Sequence, residues 1–417
     1  MNSTIRQVLS QRNILVLSTS TTIYNTIEML YRPFLSLYLL LLGASVQVVG
    51  LVSMIELISI LIFQLPGGFL ADRIGRKKVI VYFTSANIVA PIFYLYATTW
   101  EQMIPGVILF SMYSIYWPAF NSMISESIPY EQRGAAYGAY SMVTSIPTTL
   151  SPFFGGIFMD MWGMEYAIRL FFKVLIPLGI AITTARAVFL RETLKIIPRV
   201  ENPKRSGVIK RDAEQEFFTA FKKVPRSIYF MLAASSLFGF GIRLIEPFII
   251  VHVTTIIGLT MTMWGMISML TGLLSTSLAI PGGILSDKIG RKLTIVAGRS
   301  LISVSTLGLL LCGNFRQVFA VRTINSIGQG LGGGGYIGME CPAWQALIAD
   351  LVPLRMRGRI IGLMGTVTAL VGALASFIGG YVYDTSPWVS FVSSFALGVL
   401  GTTIIWFLVK EPERREQ

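Results

Sequence analysis

Residues 64–80 read QLPGGFLADRIGRKKVI, and residues 279–295 read AIPGGILSDKIGRKLTI. Both stretches carry Pro-Gly-Gly, whose second glycine begins the string Gly-x3-Asp-Arg/Lys-x-Gly-Arg-Lys, at an offset of 215 residues. A second pair of stretches, 118–134 and 342–358, begins with Pro-Ala, ends with Arg-Gly and is offset by 224 residues. Because both pairs keep their order along the chain, one structural unit occurs twice in the same orientation.

The repeat extends beyond these two motifs. At the offset of 224, the glycine pair at 155–156 aligns with the pair at 379–380, and Asp160 aligns with Asp384. Membrane transporters are commonly built from two such units, with the binding site between them near the middle of the bilayer.

The composition of the chain indicates a membrane protein. Of its 417 residues, 53% are hydrophobic and 13% are charged, about half the charged fraction of a soluble domain. The mean hydropathy is +0.66. Hydrophobic runs that match the roughly 20 residues of a membrane helix recur along the whole chain. This composition excludes disordered, collagen-like and disulfide-scaffold proteins, and it disfavours a membrane β-barrel, whose strands alternate polar and apolar residues. The predicted spans are 14–42, 46–70, 78–98, 102–125, 135–160, 166–190, 227–254, 260–285, 293–313, 317–348, 359–383 and 387–409.

One long polar segment, 191–226, divides these runs into six and six. The sequence therefore predicts an all-α membrane protein with twelve transmembrane helices in two pseudo-symmetric six-helix bundles. The predicted bundles are 1–190 and 227–417, joined by a cytoplasmic linker at 191–226.

The net charge of +13 fits one orientation of these spans. If both termini share one side, only seven of the 34 Lys and Arg residues lie away from that side. Positive residues concentrate in cytoplasmic connections, so we expect a multi-pass protein of the cell (plasma) membrane with both termini in the cytoplasm. The charge then reflects orientation in the membrane, and no nucleic-acid partner is expected.

The repeated Gly-x3-Asp string resembles the signature of the major facilitator superfamily, which lies between spans two and three and again between spans eight and nine. The resemblance implies two bundles that rock around a central site in alternating access, with a latch of charged residues on the cytoplasmic side. The implied gate residues are Asp72, Arg73, Arg76, Glu126, Arg133, Asp287, Arg291, Asp350 and Arg357.

The fifth run weakly resembles one branch of that superfamily. Residues 138–156 hold glycines and Pro152 at the spacing of the glycine-rich motif of drug:proton antiporters, although Pro147 and Ser151 replace two expected glycines. The fourth run lacks the basic residue that those antiporters carry within the membrane. The resemblance favours proton-coupled efflux by a secondary active transporter. Uptake or facilitated exchange of a metabolite, lipid or organic ion is the alternative, and a non-transporting membrane sensor is a remote one.

Four charged residues lie within the first and seventh runs. Glu28 and Arg32 share one helix face, and so do Arg243 and Glu246. A charge at membrane depth costs several kcal/mol unless it is paired or hydrated. Alignment of Pro-Phe at 33–34 with Pro-Phe at 247–248 places Arg32 and Glu246 at equivalent positions with opposite charges. We therefore expect either an ion pair between the halves that closes the extracellular side or binds substrate, or two pairs that neutralise each other within their own helices.

Two further carboxylates, Glu56 and Glu340, have no opposite charge within one helical turn. Each must be partnered across helices or carry a proton, which makes both candidate carriers of a proton or a cation. Structural hydrogen bonding is the alternative for each.

Aromatic side chains and 18 methionines on the predicted spans indicate an amphipathic or aromatic organic substrate. Ordinary helix packing remains the alternative for any one of them. The candidate substrate residues are Tyr24, Tyr116, Trp117 and Trp344.

The remaining predictions concern partners. The single histidine and two separated cysteines predict neither a metal site nor a disulfide, and no cofactor is expected. No nucleophile, metal or nucleotide motif indicates an enzyme. We expect a monomer whose partners are a small-molecule substrate, membrane lipid and a coupling proton or ion.

Overall fold

The computed structural model describes residues 11–128, 133–194, 225–334 and 341–411. Within these ranges every regular element is a helix. The α-helices are Arg12–Tyr31, Leu35–Leu41, Val46–Ile74, Arg76–Thr84, Ala86–Tyr96, Ile104–Ser111, Tyr116–Glu126, Arg133–Trp162, Met164–Phe189, Arg226–Val251, Met261–Ile289, Arg291–Leu310, Phe315–Gly328, Pro342–Leu351, Leu354–Thr385 and Pro387–Leu408. Short 3-10 or π-helical turns at Arg32–Phe34, Trp100–Met103, Met112–Ile115, His252–Ile256 and Gln329–Gly333 continue several of them.

These helices group into twelve spans. In chain order, spans 1 to 12 are 12–41, 46–74, 76–96, 100–126, 133–162, 164–189, 226–256, 261–289, 291–310, 315–351, 354–385 and 387–408. Nine of the described segments are long and apolar enough to cross a membrane. The remaining spans are 1, 5 and 10. Span 1 is interrupted at Arg32–Phe34, and span 10 is described only at 315–334 and 341–351. The predicted all-helical membrane fold of twelve spans is confirmed.

Several spans continue past their predicted ends. Span 2 reaches Ile74 and span 8 reaches Ile289, so both helices include the Asp-Arg or Asp-Lys pair of the repeated string. A hydropathy pattern ends where charged residues begin, whereas backbone hydrogen bonding continues into the polar zone. The predicted linker 191–226 lies largely outside the described residues, so the domain boundaries stay predictions.

A glycine ends each of these two helices. Gly75 follows span 2 with φ +103°, and Gly290 follows span 8 with φ +107°. A side chain in this region of backbone space meets the following carbonyl oxygen, so glycine suits both positions. A Cβ atom on Gly75 would also lie 2.5 Å from Oε2 of Glu192. The two glycines have the same backbone geometry, as the internal repeat predicts.

The halves, spans 1–6 and spans 7–12, meet directly on the side away from the chain termini, here called the outer side. A Cβ atom on Gly156 of span 5 would lie 2.3 Å from the carbonyl oxygen of Met261 on span 8. A Cβ atom on Gly50 of span 2 would lie 2.4 Å from that of Ser376 on span 11. These close contacts form the outer seam.

Glycines of the same helices toward the terminal side make no such contacts. A Cβ atom on Gly283 of span 8 would meet no atom within 4 Å, and the same holds for Gly358 and Gly362 of span 11. Among the described residues, the close glycine contacts between the halves therefore lie on the outer side.

Candidate functional site

A charged cluster joins spans 1 and 2 beside the outer seam. Nη1 of Arg32 lies 3.4 Å from Oε1 of Glu28, one turn earlier on span 1, and Nη2 pairs with Oε1 of Glu56 on span 2. The exposed fractions of these side chains are 31% for Arg32, 12% for Glu28 and 21% for Glu56. Two carboxylates face one guanidinium, so the cluster carries one net negative charge when all three groups are ionised.

Neighbouring residues hold this cluster in place. The guanidinium carbon of Arg32 lies 5.3 Å from the ring centroid of Phe110 on span 4, close enough for a cation–π contact. The hydroxyl of Ser111 donates a 3.4 Å hydrogen bond to the backbone oxygen of Glu56. The predicted partner of Glu56 across helices is therefore Arg32, which the helical spacing of each span alone could not identify.

The seventh span holds the second charged pair. Nη1 of Arg243 lies 2.7 Å from Oε2 of Glu246, three residues later. These two residues and Arg32 form no ion pair between the halves in the described structure, so of the two alternatives this conformation shows the pairs within each helix and not the pair of Arg32 with Glu246. Alignment of the repeat matched their positions along the helices but gave no distance between the helices. Arg32 instead takes its second partner from the neighbouring span of its own half.

Both charged groups adjoin tight helix contacts. A Cβ atom on Gly155 of span 5 would lie 2.0 Å from the carbonyl oxygen of Leu30, which lies between Glu28 and Arg32. The equivalent Gly379 of span 11 lies against Leu244 beside Arg243, where a Cβ would meet the carbonyl oxygen at 2.2 Å. Spans 5 and 11 are therefore in direct contact with the backbone that carries these charges.

The predicted substrate aromatics are distributed over three environments. Tyr24 and Tyr116 are buried in the first half, and the Tyr24 hydroxyl makes no hydrogen bond within the described part of the chain. Trp117 is 38% exposed and stacks on Phe120, with 5.1 Å between ring centroids. Trp344 is buried in the second half. Of these four side chains, that of Trp117 is the exposed one. Glu340 lies outside the described residues.

The gate residues of the first half form one network on the terminal side. Arg76 is the centre: Nη1 lies 2.8 Å from Asp72, and Nε and Nη2 lie 3.0 and 2.8 Å from Oε1 of Glu126. The hydroxyl of Thr193 donates a 2.6 Å hydrogen bond to Glu126. These bonds tie the start of span 3 to the ends of spans 2 and 4 and to the segment after span 6.

The second half repeats this arrangement. Arg291 pairs with Asp350 and donates a 2.6 Å hydrogen bond to the backbone oxygen of Ala346. Arg357 donates a 2.6 Å bond to the oxygen of Ala349. Asp287 is exposed.

The other two predicted gate residues of the first half are Arg73 and Arg133. The guanidinium of Arg73 lies 5.3 Å from the ring centroid of Phe69 on its own span. Arg133 begins span 5, and the position of its side chain lies outside what is described. In the described structure all these contacts stay within one half, as a latch between halves would require when the terminal side is open.

Sequence reasoning missed two acidic residues of this network. Glu192 accepts hydrogen bonds from the N–H groups of Arg76 and Lys77, at 3.0 and 3.1 Å. Glu411 accepts from the N–H groups of Arg291 and Lys292, at 2.7 and 3.4 Å. Each carboxylate caps the N-terminus of the third helix of its half, where a negative charge is stabilised. An acidic residue shortly after both the sixth and the twelfth runs was the signal available in the sequence.

A buried arginine was also missed. Arg186 near the end of span 6 was counted among the charges of the terminal side, but it is only 2% exposed. Its three nitrogens donate to the hydroxyls of Ser20, Thr21 and Thr84, at 3.0, 2.9 and 2.8 Å. The guanidinium thereby connects spans 1, 3 and 6.

Span 9 of the second half holds another buried arginine, Arg299. It aligns with Thr84, one of the partners of Arg186, at the offset of 215. It is fully buried, and its guanidinium lies 4.6 Å from the ring centroids of both Phe238 and Trp344. Trp344 therefore packs on an arginine inside the second half, which favours the packing alternative for this residue.

Comparison with known proteins agrees with this architecture. A model of the Major Facilitator Superfamily matches residues 17–339 and 231–417. Quinolone resistance protein NorA of Staphylococcus aureus is 30% identical over 174 residues, an alignment that covers 42% of this chain and 42% of that protein. An uncharacterised MFS-type transporter of Methanocaldococcus jannaschii is 22% identical over 408 residues, 95% of each chain.

Solved transporter structures share the fold at low sequence identity. An inward-facing, occupied bacterial homologue of the human lysosomal transporter Spinster has a TM-score of 0.73 and 13% identity, with 94% of this chain and 95% of that chain covered. A D-xylose–proton symporter has a TM-score of 0.67 and 15% identity, with 98% of each chain covered. The chain belongs to the major facilitator superfamily and is a multi-pass membrane protein.

Proposed function

We propose that this protein is a proton-coupled secondary transporter that exports a small, amphipathic or aromatic organic compound by alternating access. The observation that carries the proposal is the cluster of Glu28, Arg32 and Glu56. One guanidinium cannot neutralise two carboxylates, and an uncompensated charge at membrane depth is costly. Binding of a proton or of a cationic group relieves that cost.

The position of the cluster supports a role in coupling. Glu28 and Arg32 flank Leu30, whose backbone packs on Gly155 of span 5. Gly155 is next to Gly156, which packs on span 8 of the other half. The cluster thus lies close to the outer seam, which must open during transport. A change in the charge of the cluster can therefore act on that seam. Such a connection between a titratable group and a two-state interface is what coupled transport needs.

The direction of transport and the class of substrate are supported by separate observations. The partial likeness to NorA, whose name refers to quinolone resistance, favours efflux of an aromatic compound. The exposed ring of Trp117 offers a stacking surface for such a compound. A plasma-membrane location with both termini in the cytoplasm follows from the distribution of positive residues, and it stays part of the proposal.

Flux into proteoliposomes tests the coupling. The purified full chain would be reconstituted, and accumulation of ethidium and of a quinolone would be followed with and without a pH gradient. We expect gradient-driven flux in the wild type. Glu28→Gln, Glu56→Gln and Glu340→Gln would be compared with Glu246→Gln, whose carboxylate pairs within span 7. We expect Glu28→Gln or Glu56→Gln to abolish the response to the gradient while binding persists, and Glu246→Gln to retain it.

Each other outcome favours a different function. Flux of equal size with and without the gradient would indicate facilitated exchange. Gradient-driven flux in the opposite direction would indicate uptake. Binding without flux would indicate a sensor, and wild-type coupling in all three Gln variants would remove these carboxylates from the mechanism.

A further inference from the structure

Asp160 connects the two halves at the outer end of the seam. It lies near the end of span 5, and its carboxylate accepts two backbone hydrogen bonds from span 8. Oδ1 accepts from the N–H of Met261 at 3.1 Å, and Oδ2 accepts from the N–H of Thr262 at 2.8 Å. The first N–H groups of a helix have no partner within the helix, so an acceptor from outside satisfies them.

The cap of span 8 is therefore shared between the halves. The side chain of Thr260, which precedes the helix, accepts only from the N–H of Met263, at 3.2 Å. Asp160 satisfies the two preceding N–H groups. Its negative charge also lies at the positive end of the helix dipole of span 8, where an anion is favoured. If the halves separated at this end, span 8 would lose two of these three cap bonds.

The glycines of the seam bring Asp160 into reach. Gly156, one turn before Asp160, touches the backbone of Met261. Gly265 touches span 5 in return, since a Cβ on it would lie 2.2 Å from the carbonyl oxygen of Pro152. The two helices are thus in backbone contact at the level where the carboxylate meets the first turn.

The repeat places a second carboxylate at the equivalent point. Asp384 aligns with Asp160 at the offset of 224, and Gln47 aligns with Thr262 at the offset of 215. Oδ2 of Asp384 accepts a hydrogen bond from Nε2 of Gln47, in the first turn of span 2. This contact also joins the two halves, but it uses a flexible side-chain amide in place of two backbone N–H groups.

We propose that Asp160 and Asp384 form an outer latch, in which Asp160 provides the larger part of the stabilisation. The latch holds the outer side closed and releases when the protein opens there. It is the counterpart, on the opposite side of the molecule, of the charged network around Arg76. The proposal depends on the fold of the family and not on the substrate or on proton coupling.

Distance measurements between spin labels test the latch directly. Cysteines at Thr99 and Arg316, exposed residues on the outer side of different halves, would carry the labels in the full chain with Cys312 and Cys341 changed to Ser. Asp160→Ala and Asp160→Asn remove the charge, and the Asn variant preserves the shape of the side chain. We expect the ratio of the longer to the shorter distance population to rise at least about threefold in both Asp160 variants.

Two comparisons make the test specific. Asp384→Ala is expected to raise the ratio by less than Asp160→Ala. Glu165→Gln is the matched control, because this carboxylate lies at the same end of the molecule but pairs with Arg169 of its own span at 3.0 Å. We expect it to leave the distances unchanged. Wild-type distances in a monodisperse Asp160→Asn protein, or an equal shift in Glu165→Gln, would overturn the proposal.

Discussion

Arg32 of span 1 contacts carboxylates on two helices, Glu28 one turn away and Glu56 on span 2. The pair with Glu56 joins span 1 to span 2, and span 2 is one of the two first-half spans that form the outer seam. Neither carboxylate has another cationic partner among the described ion pairs, so the two share this one guanidinium as their counter-charge.

We expect Arg32→Gln to destabilise the protein by about 3 kcal/mol, since it leaves two carboxylates without their counter-charge. The double variant Arg32→Gln with Glu56→Gln should recover part of that loss, with a coupling of about 1–2 kcal/mol. Thermal unfolding of the purified variants in detergent measures both values. Strictly additive effects would mean that the pair contributes little to stability.

The network around Arg76 predicts two separable effects. Asp72 is 71% exposed and Arg76 only 11% exposed, although their side chains form one ion pair. Asp72→Asn should therefore change the stability by less than about 1 kcal/mol, as for other exposed pairs, yet slow transport if Asp72 contributes to the latch.

Arg76→Gln should instead lower the stability by about 2 kcal/mol, because Glu126 loses hydrogen bonds from a charged donor. Unfolding midpoints combined with flux in proteoliposomes distinguish the two variants. Unchanged turnover in Asp72→Asn would argue against a conformational role for this residue.

A side chain at Gly75 should destabilise the protein. Its φ of +103° is strained for any other residue, and a Cβ would lie 2.5 Å from the carboxylate of Glu192. We expect Gly75→Ala to lower the free energy of unfolding by about 1–2 kcal/mol. Gly362→Ala is the control, because that helical glycine has open space around it, and alanine there should be neutral or stabilising. Equal effects in the two variants would contradict the steric account.

The outer seam should also reject a methyl group. A Cβ on Gly156 would lie 2.3 Å from a backbone oxygen of span 8, whereas one on Gly283, on the terminal side, would meet no atom within 4 Å. Because backbone atoms cannot rotate away, Gly156→Ala should force the halves apart at the outer end and reduce transport several-fold. Gly283→Ala should transport normally. Flux measurements on both variants test whether the seam excludes a methyl group. A fully active Gly156→Ala would show that the seam can relax.

The sequence was informative where a local signal exists. The repeated string predicted the two halves, because internal repetition can be read from the chain directly. Hydropathy predicted the twelve spans. The predicted ends fall short of the observed ends where charged residues such as Asp72 continue the helix. The residues missed by sequence reasoning depend on contacts between distant segments. Glu192, which follows span 6, binds the N-terminus of span 3. Arg186 is buried and donates hydrogen bonds to hydroxyl groups of spans 1 and 3.

By itself, the sequence of this protein determined that it forms twelve apolar helices in two equivalent halves, because the length of apolar runs and internal repetition are properties of the linear chain. It also placed Arg32 and Glu246 at equivalent positions. Only the tertiary structure decided that Arg32 pairs with Glu56 within its own half, and that the halves meet through Gly156 and Gly50. The physical reason is that ion pairs and backbone contacts depend on the separation and rotation of neighbouring helices, which a repeat offset does not specify.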